Sequence, residues 1–130
     1  MIKVATLEKY AFSVSVKTEY LLGQSDVESN RYAFAYHITI TNIGSVAAQL
    51  ISRHWVITDD NGNVSEVRGL GVVGAQPFLQ PKEKFEYTSG TLLNTPSGSM
   101  RGTYQIVAED GVQFEAVIAP FTLVVPRVLH

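Results

Sequence analysis

Tyr32-Ala33-Phe34-Ala35-Tyr36-His37-Ile38-Thr39-Ile40-Thr41 decides the fold class. Every even position is aromatic or β-branched and every odd one is small or polar, the period-two alternation of a strand with one buried face. The same alternation recurs outward from this segment. Phe12, Val14 and Val16 alternate with Ser13, Ser15 and Lys17, and Tyr104, Ile106 and Ala108 alternate with Thr103, Gln105 and Glu109. Glu109-Asp110-Gly111 then reads as a tight hairpin turn, because glycine supplies the positive φ such turns require. Val112, Phe114, Ala116 and Ile118 form the returning strand, and Phe121-Thr122-Leu123-Val124-Val125 continue it as a bent extension past Pro120.

The middle of the chain is less regular. Between Ala47 and Thr58 both parities carry apolar residues (Leu50 and Val56 against Ile51, Trp55 and Ile57), which fits a strand covered on both faces or one interrupted by a bulge. Trp55 is expected between sheets. Arg53 would then share its side, so a bulge at Arg53-His54 is expected to send the guanidinium outward. Asp59-Asp60-Asn61-Gly62-Asn63 reads as a turn into a short strand Val64–Val67, and Phe85 and Tyr87 mark another strand ended by Ser89-Gly90. No segment repeats apolar residues at i, i+3, i+4 and i+7 over three turns, so no helix is expected. About seven to eight antiparallel strands with Gly/Pro turns make an all-β sandwich.

A length of 130 residues fits one domain, taken as 1–130, and such a chain buries about two-thirds of its unfolded surface. The balance of 10 basic against 12 acidic side chains, net −2, argues against binding to nucleic acid, which draws on excess cations. The absence of cysteine excludes disulfides, thiolate metal sites and a cysteine nucleophile. No apolar run reaches membrane-spanning length, and Met1-Ile2-Lys3-Val4-Ala5-Thr6 lacks a signal-peptide core, so a cytoplasmic protein without membrane contact is expected.

Arg53-His54-Trp55-Val56-Ile57-Thr58-Asp59 and Gly69-Leu70-Gly71-Val72-Val73-Gly74-Ala75-Gln76-Pro77, with Tyr87-Thr88-Ser89-Gly90, Thr95-Pro96, Gly98-Ser99-Met100, Gly102-Thr103-Tyr104 and Pro120-Phe121, resemble the ApaG (CorD) family. The likeness runs from about Phe12 to the C-terminus. Lys82, between Pro81 and Glu83, stands where the family more often has glycine. The resemblance implies a fibronectin type III-like or immunoglobulin-like sandwich and an association with cobalt resistance and magnesium efflux. It also implies use as a recognition module, with no established catalytic residues.

Gly69-Leu70-Gly71-Val72-Val73-Gly74 fits G-x-G-x-x-G, but Pro77 and Pro81 forbid the helix on which a dinucleotide site depends. What remains is a structural loop, a backbone concavity for a small anion such as pyrophosphate or a nucleotide, with Arg53 or Arg68 as counter-charge, or a recognition surface. In the last case Leu70, Val72, Val73 and Phe78 would form its outward apolar face, between Gly69 and Phe78 and including Gln76 and Pro77. His37, His54 and His130 have no ligand spacing, although a cobalt or magnesium sensor or buffer is a further alternative. Asp59, Asp60, Asn61 and Asn63 lack the EF-hand pattern. Ser52 and Ser89 lack a nucleophile elbow. The leading expectation is therefore a non-enzymatic protein-interaction module with no catalytic residues, metal or cofactor and an unidentified protein partner. Free sheet edges add an expected route to a homodimer.

Overall fold

A computed structural model describes residues 8–126. The chain forms strands β1 (Phe12–Tyr20), β2 (Tyr32–Asn42), β3 (Ala48–Asp59), β4 (Val64–Leu70), β5 (Phe78–Leu79), β6 (Lys84–Leu93), β7 (Ser97–Ala108) and β8 (Gln113–Val124). Two short 3-10 turns, Leu22–Gln24 and Val27–Ser29, link β1 to β2, the second capped by Asp26, whose carboxylate accepts from the Ser29 amide. One sheet has the order β1-β2-β6 and the other β4-β3-β7-β8, with β5 pairing on β3 beyond the end of β4. All strand pairs are antiparallel, and the two sheets face each other as the expected β-sandwich.

The deciding stretch behaves as its alternation requires. Phe34, Tyr36, Ile38 and Ile40 are buried between the sheets, while His37 and Thr39 lie on the outer face among Glu19, Thr88 and Glu86. Opposite them, Trp55 is 2% exposed and meets Tyr36 edge-on at 5.4 Å, Phe121 at 5.9 Å and Tyr104 at 6.4 Å. These perpendicular contacts set the positive ring edge against the negative ring face, adding to the area the rings bury. Tyr87 and Tyr104 bridge the sheets through a hydroxyl–hydroxyl hydrogen bond of 2.5 Å. Burial pushes the Tyr87 phenol up to about 12 and raises that of Tyr104 as well, so both remain neutral.

Two bulges reverse the parity of their strands. In β3, Leu50 pairs with Ile106 but Ser52 pairs with Gln105, which leaves Ile51 unpaired. Ala48 and Leu50 therefore point inward before the bulge, and Arg53, Trp55 and Ile57 after it. This explains the apolar residues at both parities. The bulge falls two residues earlier than the sequence suggested, so Arg53 turns inward rather than out. In β8, Gly102 pairs with Ile118 but Met100 with Phe121, and the extra residue lies at Ala119-Pro120, where a missing N–H costs no ladder bond.

Strand β6 also corrects the sequence reading. Ser89-Gly90 does not end it; the strand runs to Leu93, and Gly90 pairs with Ala35. Small residues are needed there, since a Cβ on Gly90 would stand 3.1 Å from the Phe34 carbonyl oxygen. The turn before β6 places Lys82 at φ +75°, a conformation that favours glycine, with Pro81 ahead of it as in a type II turn. Asn42, fully buried, fastens this end: its Nδ2 donates to Val46 O and Leu79 O, and its Oδ1 accepts from the Gly44 amide. At the opposite end, Thr95 Oγ1 accepts from the Asp60 amide and donates to Ser97 O, tying two turns together.

Truncating Trp55 to Ala removes the centre of the aromatic cluster. A loss of about 3–5 kcal/mol is expected, read as the shift of a urea or guanidinium midpoint at unchanged slope. A second expectation concerns acid. Tyr10 donates to Asp110 Oδ2 at 2.6 Å, and chiefly this bond, aided by the Val112 amide, holds the Asp110 carboxyl below its ordinary value of 3.8. Its contribution is complete above that ordinary value and is lost as pH falls through the depressed one. Asp110→Asn should thus lower the melting temperature at neutral pH, with the gap from wild type closing as the medium is acidified below about 4.

Candidate interaction loop

The loop between β4 and β5 crosses the bulge of β3, and the bulge holds it. The freed Ile51 carbonyl accepts from the Gly71 amide at 2.8 Å and from Gln76 Nε2 at 2.9 Å. Farther along, the Leu50 amide donates to Pro77 O and Gln49 Nε2 to Gln76 O, both at 3.0 Å. Between these anchors Val72 and Ala75 exchange reciprocal backbone bonds of 2.8 and 2.9 Å around Val73 (φ +48°) and Gly74 (φ +78°). Positive φ at both central residues is the type I′ turn favoured in two-residue hairpins. A β-branched residue at the first of these positions is strained, by about 1–3 kcal/mol, and holds only because the anchors fix the loop on either side.

Arg53 locks the loop from inside. Its Nη1 donates to Leu70 O at 3.0 Å and to Gly71 O at 2.9 Å, so the half-buried cation is satisfied by two carbonyls instead of a carboxylate. Gly69 pairs with Arg53 across the ladder, and a Cβ there would come within 2.8 Å of Nη1. Gly71, at φ +62°, brings its Cα against the Ala75 carbonyl, where a Cβ would lie only 2.3 Å from the oxygen. The glycines of the apparent phosphate motif are thereby explained by a guanidinium, a close backbone crossing and a turn.

Leu70, Val73 and Phe78 are exposed at 75%, 66% and 47%, whereas Val72 is fully buried in the core. Val72 therefore leaves the outward apolar face expected of it: Gly71, at φ +62°, breaks the strand alternation after Leu70 and turns Val72 inward. The amides of Gly71, Val72 and Ala75 are already donated, and the carbonyls of Leu70 and Gly71 face a cation. Arg68 does not join Arg53. It lies on the outer face, 73% exposed, with Nη2 3.8 Å from Glu66 Oε1, and the same oxygen meets His54 Nε2 at 2.8 Å. His37 similarly engages Glu19 Oε1 at 3.1 Å and Thr88 Oγ1 at 2.8 Å. No group of three or more metal-ligating side chains occurs among the described residues, and His130 lies outside them. Asp59, Asn61 and Asn63 form a self-contained turn in which the Asp59 carboxylate accepts both backbone amides.

Sequence reasoning missed the Tyr87–Tyr104 bridge and the Asn42 anchor. Gly69 opposite Arg53 was the available clue to the arginine's direction, but it becomes readable only once the β3–β4 register is known. Beside the loop, Tyr36, Arg53, Trp55, Val73, Tyr87 and Ser89 line a cleft of about 140 Å³. No helix among the described residues is long and apolar enough to cross a membrane.

These features define a small antiparallel β-sandwich whose edge loop is fastened by an internal arginine. The chain belongs to the ApaG domain family, whose model matches residues 22–108. It is 65% identical to Protein ApaG of Methylobacillus flagellatus over 95% of this chain and 97% of that one, and 60% identical to Protein ApaG of Aromatoleum aromaticum over the same shares. A Bordetella pertussis crystal structure assigned as the ApaA protein is 56% identical and superposes with a TM-score of 0.90, covering 94% of this chain and 99% of its own.

Substitutions should separate the two sides of the loop. Gly71→Ala is expected to cost more than the roughly 1–2 kcal/mol of placing a Cβ in left-handed backbone, because the Ala75 carbonyl must also move. Gly74→Ala, with open space around it, should cost no more than that strain. Val72→Asp should unfold the domain and Val73→Asp leave the melting temperature nearly unchanged, as thermal melts monitored by circular dichroism will show.

Proposed function

We propose that the protein is a protein-interaction module that works by binding rather than by catalysis, through the apolar side chains displayed by the locked loop. The observation that carries this reading is the pairing of fixed backbone with exposed apolar groups: Leu70, Val73 and Phe78 project from a segment held by Arg53, Gln76 and the β3 bulge. A loop already ordered when free gives up little entropy on binding, so each exposed contact contributes more fully to affinity. A few apolar anchors on such a platform are the usual makings of a protein-binding hot spot. A small-anion or nucleotide role draws less support, since the Gly71, Val72 and Ala75 amides are already donated to backbone carbonyls. A metal sensor or buffer draws little, with His37 and His54 each committed to a carboxylate. In this reading the link to cobalt resistance and magnesium efflux runs through a cytoplasmic protein partner.

The test is affinity capture from cytoplasmic extract with wild-type protein and with Val73→Asp and Phe78→Asp. Both variants should melt as the wild type does and lose the captured protein. Equal capture by all three overturns the reading, and saturable amide shifts at Gly69 to Gly74 on adding pyrophosphate would favour the anion alternative.

A further inference from the structure

Strand β4 is exposed on both faces, and among the described residues no strand pairs with its outer edge. The hydrogen bonds at its two ends fix which backbone groups point that way. The Asp59 amide donates to Asn63 O at 3.0 Å and the Gly71 amide to Ile51 O at 2.8 Å, so in this register the odd residues 63 to 71 turn their N–H and C=O groups toward β3. Val64, Glu66, Arg68 and Leu70 consequently direct theirs to the open edge. Their side chains share the outer face of the sheet, where Val64 and Leu70 are exposed at 60% and 75%.

The sequence of this edge, Val64-Ser65-Glu66-Val67-Arg68-Gly69-Leu70, is complementary to itself when reversed. Laid antiparallel on a second copy about a two-fold axis at Val67, it sets Glu66 opposite Arg68 and Val64 opposite Leu70, each twice. On the inner face it sets Ser65 opposite Gly69 and Val67, 40% exposed, opposite its own copy. The residues that face each other in hydrogen-bonding pairs are the ones whose backbone groups point to the open edge; of these the Leu70 carbonyl already accepts from Arg53 Nη1 and keeps its second lone pair for a partner. Val67, already bonded to β3, falls at a non-hydrogen-bonded site, where opposed side chains come closest. Self-pairing of the free β6 edge about Thr88, near the middle of that strand, would instead oppose Glu86 with Gly90 and Lys84 with Leu92. An ordinary protective edge carries charges that repel a copy of itself; this one carries charges that match.

We propose that two copies of this chain join through their β4 edges in this register, an isologous contact that makes one continuous sheet across the pair. The surface shares Leu70 with the proposed interaction face but not the loop tip at Val73 and Phe78, and the proposal does not rest on the protein-interaction reading.

Sedimentation velocity from micromolar to millimolar protein tests it. Wild type should show a dimer that grows with concentration. Arg68→Glu, which opposes two pairs of carboxylates, should weaken it about tenfold or more. The double swap Glu66→Arg/Arg68→Glu should restore it. Arg68 is largely exposed, so both variants should fold, as melting of dilute samples will verify; Val67→Lys, which opposes two ammonium groups on the axis, is the independent variant and should also weaken the dimer. Amide exchange at Glu66 and Arg68 should slow with concentration while Val67 stays constant. A wild type that remains monomeric at millimolar concentration overturns the proposal. So does a dimer indifferent to Arg68→Glu and Val67→Lys, or a double swap that fails to regain association. Val73→Asp should leave the dimer intact, so failure here and failure of the loop reading are distinguishable.

Discussion

A guanidinium on the inward face of a β-strand must find acceptors without leaving the protein, and Arg53 finds them in the carbonyls of Leu70 and Gly71. That requirement organises the surrounding region. It demands the Ile51 bulge, which brings Arg53 to the inner side of β3, and a residue without a side chain at position 69. It also demands a chain that turns back sharply enough to offer two successive carbonyls. An isolated buried charge would be too costly to keep, yet two well-placed carbonyls and partial solvent contact suffice, since each hydrogen bond to a charged group contributes about 1.5–3 kcal/mol.

The bulge performs two tasks with one extra residue. It shifts the parity of β3 so that Trp55 reaches the aromatic cluster, and its released carbonyl receives both Gly71 N–H and Gln76 Nε2. Core packing and loop shape are therefore coupled through a single irregular residue. The exposed groups at 70, 73 and 78 owe their fixed positions to that coupling, not to contacts of their own.

Much of this was legible in the sequence because period two survives wherever a strand is regular and half buried. Residues 32–41 announced their inner and outer faces, and the C-terminal hairpin and the bend at Pro120 followed from turn chemistry. The parity confusion between 47 and 58 signalled a bulge correctly but could not locate it, since Leu50, Ile51, Trp55, Val56 and Ile57 are compatible with several shifts. Direction follows position: a bulge at Arg53-His54 would turn Arg53 outward, whereas the one at Ile51 turns it inward. Val72 was misread for a related reason. Within a glycine-rich segment the side-chain direction depends on the sign of φ at neighbouring residues, and a valine at positive φ next to the glycine is not something composition discloses. Of the four apolar side chains expected to face outward, Leu70, Val73 and Phe78 are exposed and Val72 lies in the core.

The order of the strands carries a consequence for how the chain reaches this structure. Tyr32 must meet Leu93 and Ala48 must meet Ala108 before either sheet has its central pairing. Among the described residues the sequence-adjacent pairs are β1–β2, β3–β4 and β7–β8, of which the last two close through tight turns. Closing such long loops costs entropy before the aromatic core returns any stabilisation, which places the chain among the slower folders, on the order of milliseconds to seconds. Acquiring the native state is then governed by topology rather than by the strength of any single contact, and the two hairpins are the segments able to form ahead of the rest.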